Sequence, residues 1–337
     1  MTHFSRSILL LAVSIISFSS CSGNKMQYHL SQGEIFHTSY HIKYKYDKML
    51  DTEIKATLDD FDLSMNPFNK NSIIYKVNNN IPVELDSYFI EVFTTAQEIS
   101  RQTNGAFDIT CAPLINLWGF GFDKSQVPTQ TVIDSIMEFV GYNKIKLIDG
   151  RIVKDDPRIL LNASAIAKGY ACDVIAKLLE SYNISDYMVE IGGEIHAKGV
   201  NPKGDCWKIG ISKPMDDNTG MDLKNEEIAS LCDISMATSG NYRNYYIKDG
   251  KKYAHTINPK TGYPSDQNIL SASVVASECI IADAYATAFM VMGVDSSLSI
   301  IEKTEGLGCF FIYDENGTHK TVQKNMHSVL HQKKNKP

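Results

Sequence analysis

The chain has 337 residues, 43% hydrophobic and 21% charged, with a formal net charge of −6. That length suits one large domain or two modest ones with a real buried core, and the composition is that of an ordinary folded protein rather than a disordered or fibrous one. The acidic balance, with no stripe of Lys and Arg, excludes nucleic acid as the main partner.

Residues 1–20 read as a targeting segment. Arg6 supplies a positive start, and Ile8 to Phe18 is an apolar run too short to span a bilayer, which is the pattern of a signal peptide. Ser19 and Ser20 precede Cys21, as in a bacterial lipoprotein processing site, so Cys21 is the candidate lipidation residue. Plain secretion with cleavage nearby is the alternative. Six further cysteines follow, at 111, 172, 206, 232, 279 and 309, with no C-x-x-C pair, which argues against a zinc or thioredoxin-like motif. An exported chain can form disulfides, but the spacing names no pair. Cys172 and Cys279 fall in apolar helical patterns and suit small core positions.

After a short tether (Ser22 to Lys25), Tyr40 to Tyr46 alternates like a half-buried strand. Asp51 to Leu63, Ser87 to Gln102 and Thr131 to Val140 have helical spacing, the second ending near Asn104-Gly105. Asp149-Gly150 between Lys144–Ile148 and Arg151–Lys154 is a two-residue hairpin signal. A helix is expected over Ala165 to Ser181, then a strand, a Gly192-Gly193 break and a strand over Tyr187 to Lys198. Tyr242 to Ile257 holds a second hairpin signal at Asp249-Gly250, Ile269 to Ala276 reads as a strand, and Gly308 to Tyr313 as a last one. Helices and antiparallel hairpins interleave without repeated βαβ units, so the expected class is α+β in one mature domain.

Four segments carry candidate chemistry. The first, Ser277 to Gly293, reads as a helix with Ser277 as its N-cap and Gly293 just past its end. Asp283 and Thr287, four residues apart, share one face of it and offer oxygen ligands suited to Mg²⁺; a surface Asp and a tolerated Thr are the alternative. The second, Leu161 to Tyr170, leads from a strand into a helix through small residues. Its first-turn N–H groups and Lys168 suit an anion, although a P-loop is absent and tight helix packing explains the small residues equally well. The third, Asn104 to Gly121, is dense in turn formers and aromatics and can present backbone groups to a planar heterocycle, with Asp108 as polar anchor; Trp118 and Phe120 also suit a core. The fourth places His255 just before a Pro/Gly loop, as either a catalytic or a structural histidine.

Together these segments resemble the bacterial FAD:protein FMN transferases, the ApbE-like flavin transferase family once labelled thiamine biosynthesis lipoproteins. The resemblance rests on a Ser-rich segment at 64–72, Gly-Ala-Phe-Asp through Leu-Trp-Gly-Phe-Gly at 105–121, and Asn-Ala-Ser-Ala-Ile-Ala-Lys-Gly-Tyr at 162–170. It continues through Ile-Gly-Gly-Glu at 191–194, Thr-Ser-Gly-Asn-Tyr-Arg at 238–243, His-Thr-Ile-Asn-Pro-Lys-Thr-Gly at 255–262 and Ala-Asp-Ala-Tyr-Ala-Thr at 282–287. The order and spacing of these motifs are more specific than any one of them. The resemblance implies a T-fold-related α+β domain of antiparallel sheet and packed helices over residues 33–325. A lipoprotein signal peptide (1–20) and lipid-anchored tether (21–32) would precede it, and a basic tail (326–337) would follow.

It also implies a site. Asp283, Thr287 and the Ala165 backbone carbonyl would bind Mg²⁺, while Phe36, Phe68, Ala106, Phe107, Asp108, Asn162, Lys168 and Ile257 would contact FAD. Phe36 stands where Met is common, Phe68 where Tyr is common, and Asn162 where Asp is frequent, the last removing a negative charge near the metal. The implied reaction is attack by a threonine hydroxyl of a target protein on the FMN-side phosphorus of FAD, with AMP leaving. Asp283 serves through Mg²⁺, and His255 is the nearest candidate base. Acceptors would be flavoproteins of the cell envelope, such as ion-pump subunits or FMN-binding domains, met by an enzyme lipid-anchored to the membrane and facing the periplasm. The rival readings are an FAD pyrophosphatase that passes FMN to water and a non-enzymatic FAD-binding lipoprotein.

Overall fold

A computed structural model of the protein describes residues 25–120, 128–212, 225–241, 245–248 and 251–330. The chain opens with strands β1 (Gln27–Ile35) and β2 (Thr38–Tyr46), then helices α1 (Asp51–Met65), α2 (Ile73–Asn78), α3 (Ser87–Gln102), α4 (Ala112–Leu117) and α5 (Gln130–Met137). A small hairpin, β3 (Ile145–Ile148) and β4 (Arg151–Lys154), precedes α6 (Ala167–Ser181). Strands β5 (Tyr187–Ile191), β6 (Glu194–Lys198), β7 (Trp207–Ser212), β8 (Asn225–Leu231), β9 (Ile234–Gly240), β10 (Tyr245–Lys248), β11 (Lys251–Ala254) and β12 (Ile269–Ala276) follow. Helices α7 (Cys279–Met292) and α8 (Val294–Lys303) lead to β13 (Gly308–Glu315) and β14 (Thr318–Lys324).

Among the described residues, eight strands form one sheet in the order β1-β2-β5-β6-β9-β12-β13-β14, every pairing antiparallel. Period-two alternation sends successive side chains to opposite faces, and here the two faces feed two cores. Ala237, Val274 and Phe311 join the large core under the helices, while their neighbours Met236, Val275, Phe310 and Ile312 join a smaller one beneath the β7–β8 hairpin. Both sides of the sheet are thus covered, an α+β architecture as expected.

Helix α7 is buried on nearly all sides and lies against α6, β9 and β12. That explains its small, apolar, weakly amphipathic sequence: a helix enclosed all round needs no polar face. Helix α1 shows the opposite pattern, with Ile54, Leu58, Phe61 and Met65 buried along one stripe. Asp86 starts α3 by accepting the Phe89 N–H at 2.8 Å.

Several boundaries differ from expectation. Strand β1 begins at Gln27, so the folded region reaches into the expected 21–32 tether; Tyr28 bonds the Val200 carbonyl at 2.7 Å and meets Trp207 edge-on. At the other end Met326, Val329 and Leu330 fill the smaller core, so a basic tail starting at 326 is too early. Both segments are secured by tertiary contacts that local pattern does not register. Helix α7 starts at Cys279 after Glu278, not after Ser277, because its first N–H groups are capped from α6 rather than locally. Helix α6 starts at Ala167 rather than Ala165, after the turn in which Asn162 Oδ1 accepts the Ser164 N–H. Strand β14 follows β13, and a Cys206–Cys232 disulfide closes the open end of the β7–β8 hairpin. Cys172 and Cys279 are free and buried, as core positions should be. Residues 1–24 with Cys21, Gly121, Tyr242, Arg243, the Asp249-Gly250 turn and residues 331–337 lie outside the described residues.

Candidate active site

Segments far apart in the chain converge on one cavity of about 560 Å³. The stretch between α3 and α4 brings Ala106, Phe107 and Asp108, and the approach to α6 brings Asn162, Ala165 and Lys168. The loop after β11 brings His255 and Ile257, and α7 brings Asp283 and Thr287. Of the residues expected at the site, Phe36 and Phe68 are not in this lining. Phe36 occupies the tip of the β1–β2 hairpin at φ 52°, half-buried with its ring 5.6 Å from Phe61. Phe68 is 56% exposed and its ring lies 6.0 Å from His37 in the same tip. The tip adjoins the cavity through Gly192, whose N–H donates to the Ser39 carbonyl at 3.0 Å. Phe36 and His37 hold left-handed backbone without being glycine, a costly conformation that persists where the surroundings enforce it.

Asp283 is 3% exposed, and its Oδ2 accepts the Gly169 N–H at 2.9 Å. An α-helix would send that N–H to the carbonyl four residues earlier, here Ala165, which lies among the cavity-lining residues. Thr287 Oγ1 shares a hydrogen bond with Ser239 Oγ at 3.1 Å. Lys168 is ion-paired with Glu194 Oε1. Burial alone would lower the Lys168 ammonium, but the Asp283 and Glu194 carboxylates reverse that and hold it above the usual lysine value. Burial pushes the Asp283 carboxyl up, against the attraction of Lys168. Glu194 is pushed up to about 8, chiefly by burial and next by the Asp283 charge, and Lys168 only partly counters this. Its second oxygen, Oε2, is buried without a hydrogen-bond partner among the described residues.

Two buried carboxylates thus share one ammonium. Where desolvation and like charge both disfavour ionised carboxylates, a bound cation restores them. The donors available are a carboxylate, a hydroxyl and a backbone carbonyl, all hard oxygens of the kind Mg²⁺ takes. The residues present therefore fit such an ion.

Asp108 differs from a simple ligand anchor. Its Oδ1 accepts the Thr110 N–H and hydroxyl, each at 2.7 Å, and its Oδ2 accepts the Tyr142 N–H at 2.7 Å. It braces the cavity wall, with burial raising its carboxyl and these bonds opposing the rise. The His255 ring lies edge-on to Phe120 at 6.4 Å, and the loop that follows is secured where Trp118 Nε1–H donates to the Gly262 carbonyl at 2.7 Å. Glu194, Ser239 and Asp173 are functional candidates that motif reading does not single out. The first two lie inside quoted motifs, and Asp173 falls just past one, looking like an ordinary helical charge.

The cavity joins the buried Asp283 carboxylate, the Thr287 hydroxyl, a lysine and the start of a helix, a donor set whose chemistry suits a phosphorylated ligand and a divalent cation. The chain belongs to the ApbE family, whose profile matches residues 36–311. It is 35% identical over 326 residues to the FAD:protein FMN transferase of Haemophilus influenzae, covering 91% of this chain and 93% of that one. Its fold superposes on the flavin transferase ApbE of Vibrio cholerae with a TM-score of 0.80 at 31% identity, covering 89% of this chain and 98% of that one. The apo flavinyl transferase ApbE of Pseudomonas stutzeri gives a TM-score of 0.79 at 28% identity, with 89% and 95% covered.

Proposed function

We propose that this chain transfers FMN from FAD to a threonine hydroxyl of target flavoproteins, releasing AMP. The observation that carries the reading is the convergence of Asp283, Thr287, Ala165, Lys168 and Asn162 on one cavity in a chain of this family. Lys168 and the start of α6 bind and orient the pyrophosphate. Asp283, Thr287 and the Ala165 carbonyl would hold Mg²⁺, which supplies charge neutralisation at the pyrophosphate when bound. The acceptor oxygen bonds to the FMN-side phosphorus as the bond from that phosphorus to the AMP phosphate breaks. His255 is our candidate to take the hydroxyl proton. Phe36 and Phe68 would close over the flavin from the rim. The acceptors are flavoproteins of the bacterial cell envelope, reached from a membrane-held position through an acylated Cys21 facing the periplasm.

Asp283→Ala tests the reading. Loss of the charge stabilisation should slow acceptor flavinylation by about three decades while circular dichroism shows a retained fold. Thr287→Val should cost less, since water can replace a neutral hydroxyl ligand. A folded Asp283→Ala chain that transfers FMN at the wild-type rate would refute the site. FAD cleaved to FMN and AMP with no labelled acceptor would replace transfer by hydrolysis.

A further inference from the structure

Asp173 lies in α6, five residues after Lys168, and is 2% exposed. It is absent from the cavity lining. Its Oδ1 accepts the Cys279 N–H and its Oδ2 the Ile280 N–H, both at 2.8 Å. These are the first two residues of α7, a helix whose own N-cap residue, Glu278, makes no side-chain cap. In return Asp283 of α7 accepts the Gly169 N–H in the first turn of α6. Each helix thus lends a carboxylate to the N-terminus of the other, where unpaired N–H groups and the helix dipole favour negative charge. A third contact, 2.7 Å from Asp173 Oδ1 to His196 Nδ1, ties in β6. The three elements joined at Asp173 are those that supply Lys168, Asp283 and Glu194 to the cavity.

We propose that Asp173 is a positioning residue for the cation site, an inference that rests on the Mg²⁺-dependent transfer argued above. Asp283 stands one helical turn beyond Cys279, so any shift of the capped turn moves its carboxylate directly. With Oδ2 held by Gly169 and the first turn held by Asp173, Asp283 Oδ1 is left to meet the ion in a fixed orientation. Such outer partners of a metal ligand typically change affinity by about ten- to a hundredfold when altered.

The test is Asp173→Asn in the full chain. Asn keeps the shape but turns one acceptor into a donor, which opposes one of the α7 N–H groups. Mg²⁺ alone, titrated calorimetrically with no acceptor present, should bind about tenfold or more weakly. The Mg²⁺ concentration for half-maximal flavinylation should rise in parallel, with kcat at saturating Mg²⁺ within about twofold of wild type. A purely structural role would lower Tm and kcat without moving the Mg²⁺ dependence. Wild-type Mg²⁺ affinity in folded Asp173→Asn overturns the proposal. Should that variant not fold, His196→Ala decides. It loosens the carboxylate while keeping both α7 bonds, and is expected to weaken Mg²⁺ binding severalfold; unchanged affinity there overturns the proposal too. A wild-type chain that neither binds Mg²⁺ nor needs it for transfer defeats the functional reading itself. That outcome differs from a Mg²⁺-dependent wild type beside a variant that binds the ion equally well.

Discussion

With Oε1 on Lys168 and Oε2 buried without a partner among the described residues, Glu194 is pushed up to about 8, so across neutral pH the folded chain retains a proton that the unfolded chain gives up. The sign follows from linkage: stability from this group is full below about pH 4.5 and is lost as pH rises through about 8. In protein free of FAD and divalent cations, Glu194→Gln should therefore show a flatter fall of Tm than wild type between about pH 5 and 8. Equal slopes would locate that proton elsewhere. If Phe68 contacts the flavin as proposed, Phe68→Ala should weaken FAD binding about two- to tenfold beyond any loss of buried area, the worth of a stacked ring of roughly 0.5–1.5 kcal/mol, whereas Phe68→Tyr keeps the ring. Flavin fluorescence titration checks this, and identical affinities for all three chains would reduce Phe68 to a partner of His37. The sequence offers Asp283, Thr287, Lys168 and His255 as candidates beside structural alternatives, and the structure brings all four to one cavity. Glu194 is not among those candidates, since a Glu after Gly-Gly on a strand looks like a solvated charge until the sheet turns it inward.

Between α6 and α7 the approach is set by Gly169. A Cβ there would stand 2.7 Å from the Asp283 Cβ and closer still to the Cys279 carbonyl oxygen, which is backbone and cannot swing aside. Gly169→Ala should therefore force the helices apart. Overpacking of this kind costs about 1–3 kcal/mol, while Ala in a helix recovers about 1 kcal/mol relative to Gly. A net loss, seen in chemical denaturation together with weaker Mg²⁺ binding, is expected; unchanged stability would mean the helices part freely. The same pair shows what local sequence hides. The pattern marks Ser277 as a cap because Ser is a good one, yet the cap arrives from Asp173, 106 residues before Cys279. Helices α3 and α6, the hairpin β3–β4 and strand β12 are legible because each carries its own periodicity or turn signal. Strands β1 and β14 flank the sheet at its edges, where only one neighbour and a partly wet surface leave little alternation to read.

At the scale of the whole molecule, no helix among the described residues is long and apolar enough to cross a membrane. Acylation of Cys21, proposed above, predicts that a fatty-acid label marks the wild type and not Cys21→Ala, and equal labelling of the two would sink the idea. The Cys206–Cys232 bridge was beyond spacing arguments because it depends on β7 and β8 lying side by side, which brings the two Cα atoms to 5.1 Å. The strand order has a further consequence for the growing chain. By residue 278 synthesis has delivered Phe107, Lys168, Glu194 and His255, but not the helix that brings Asp283 to the cavity, nor β13, which pairs with β12. Contacts of such long sequence separation form late. A chain cut before α7 would therefore lack the Asp283 and Thr287 side of the cavity, which is whole only once the residues beyond 278 have folded into place.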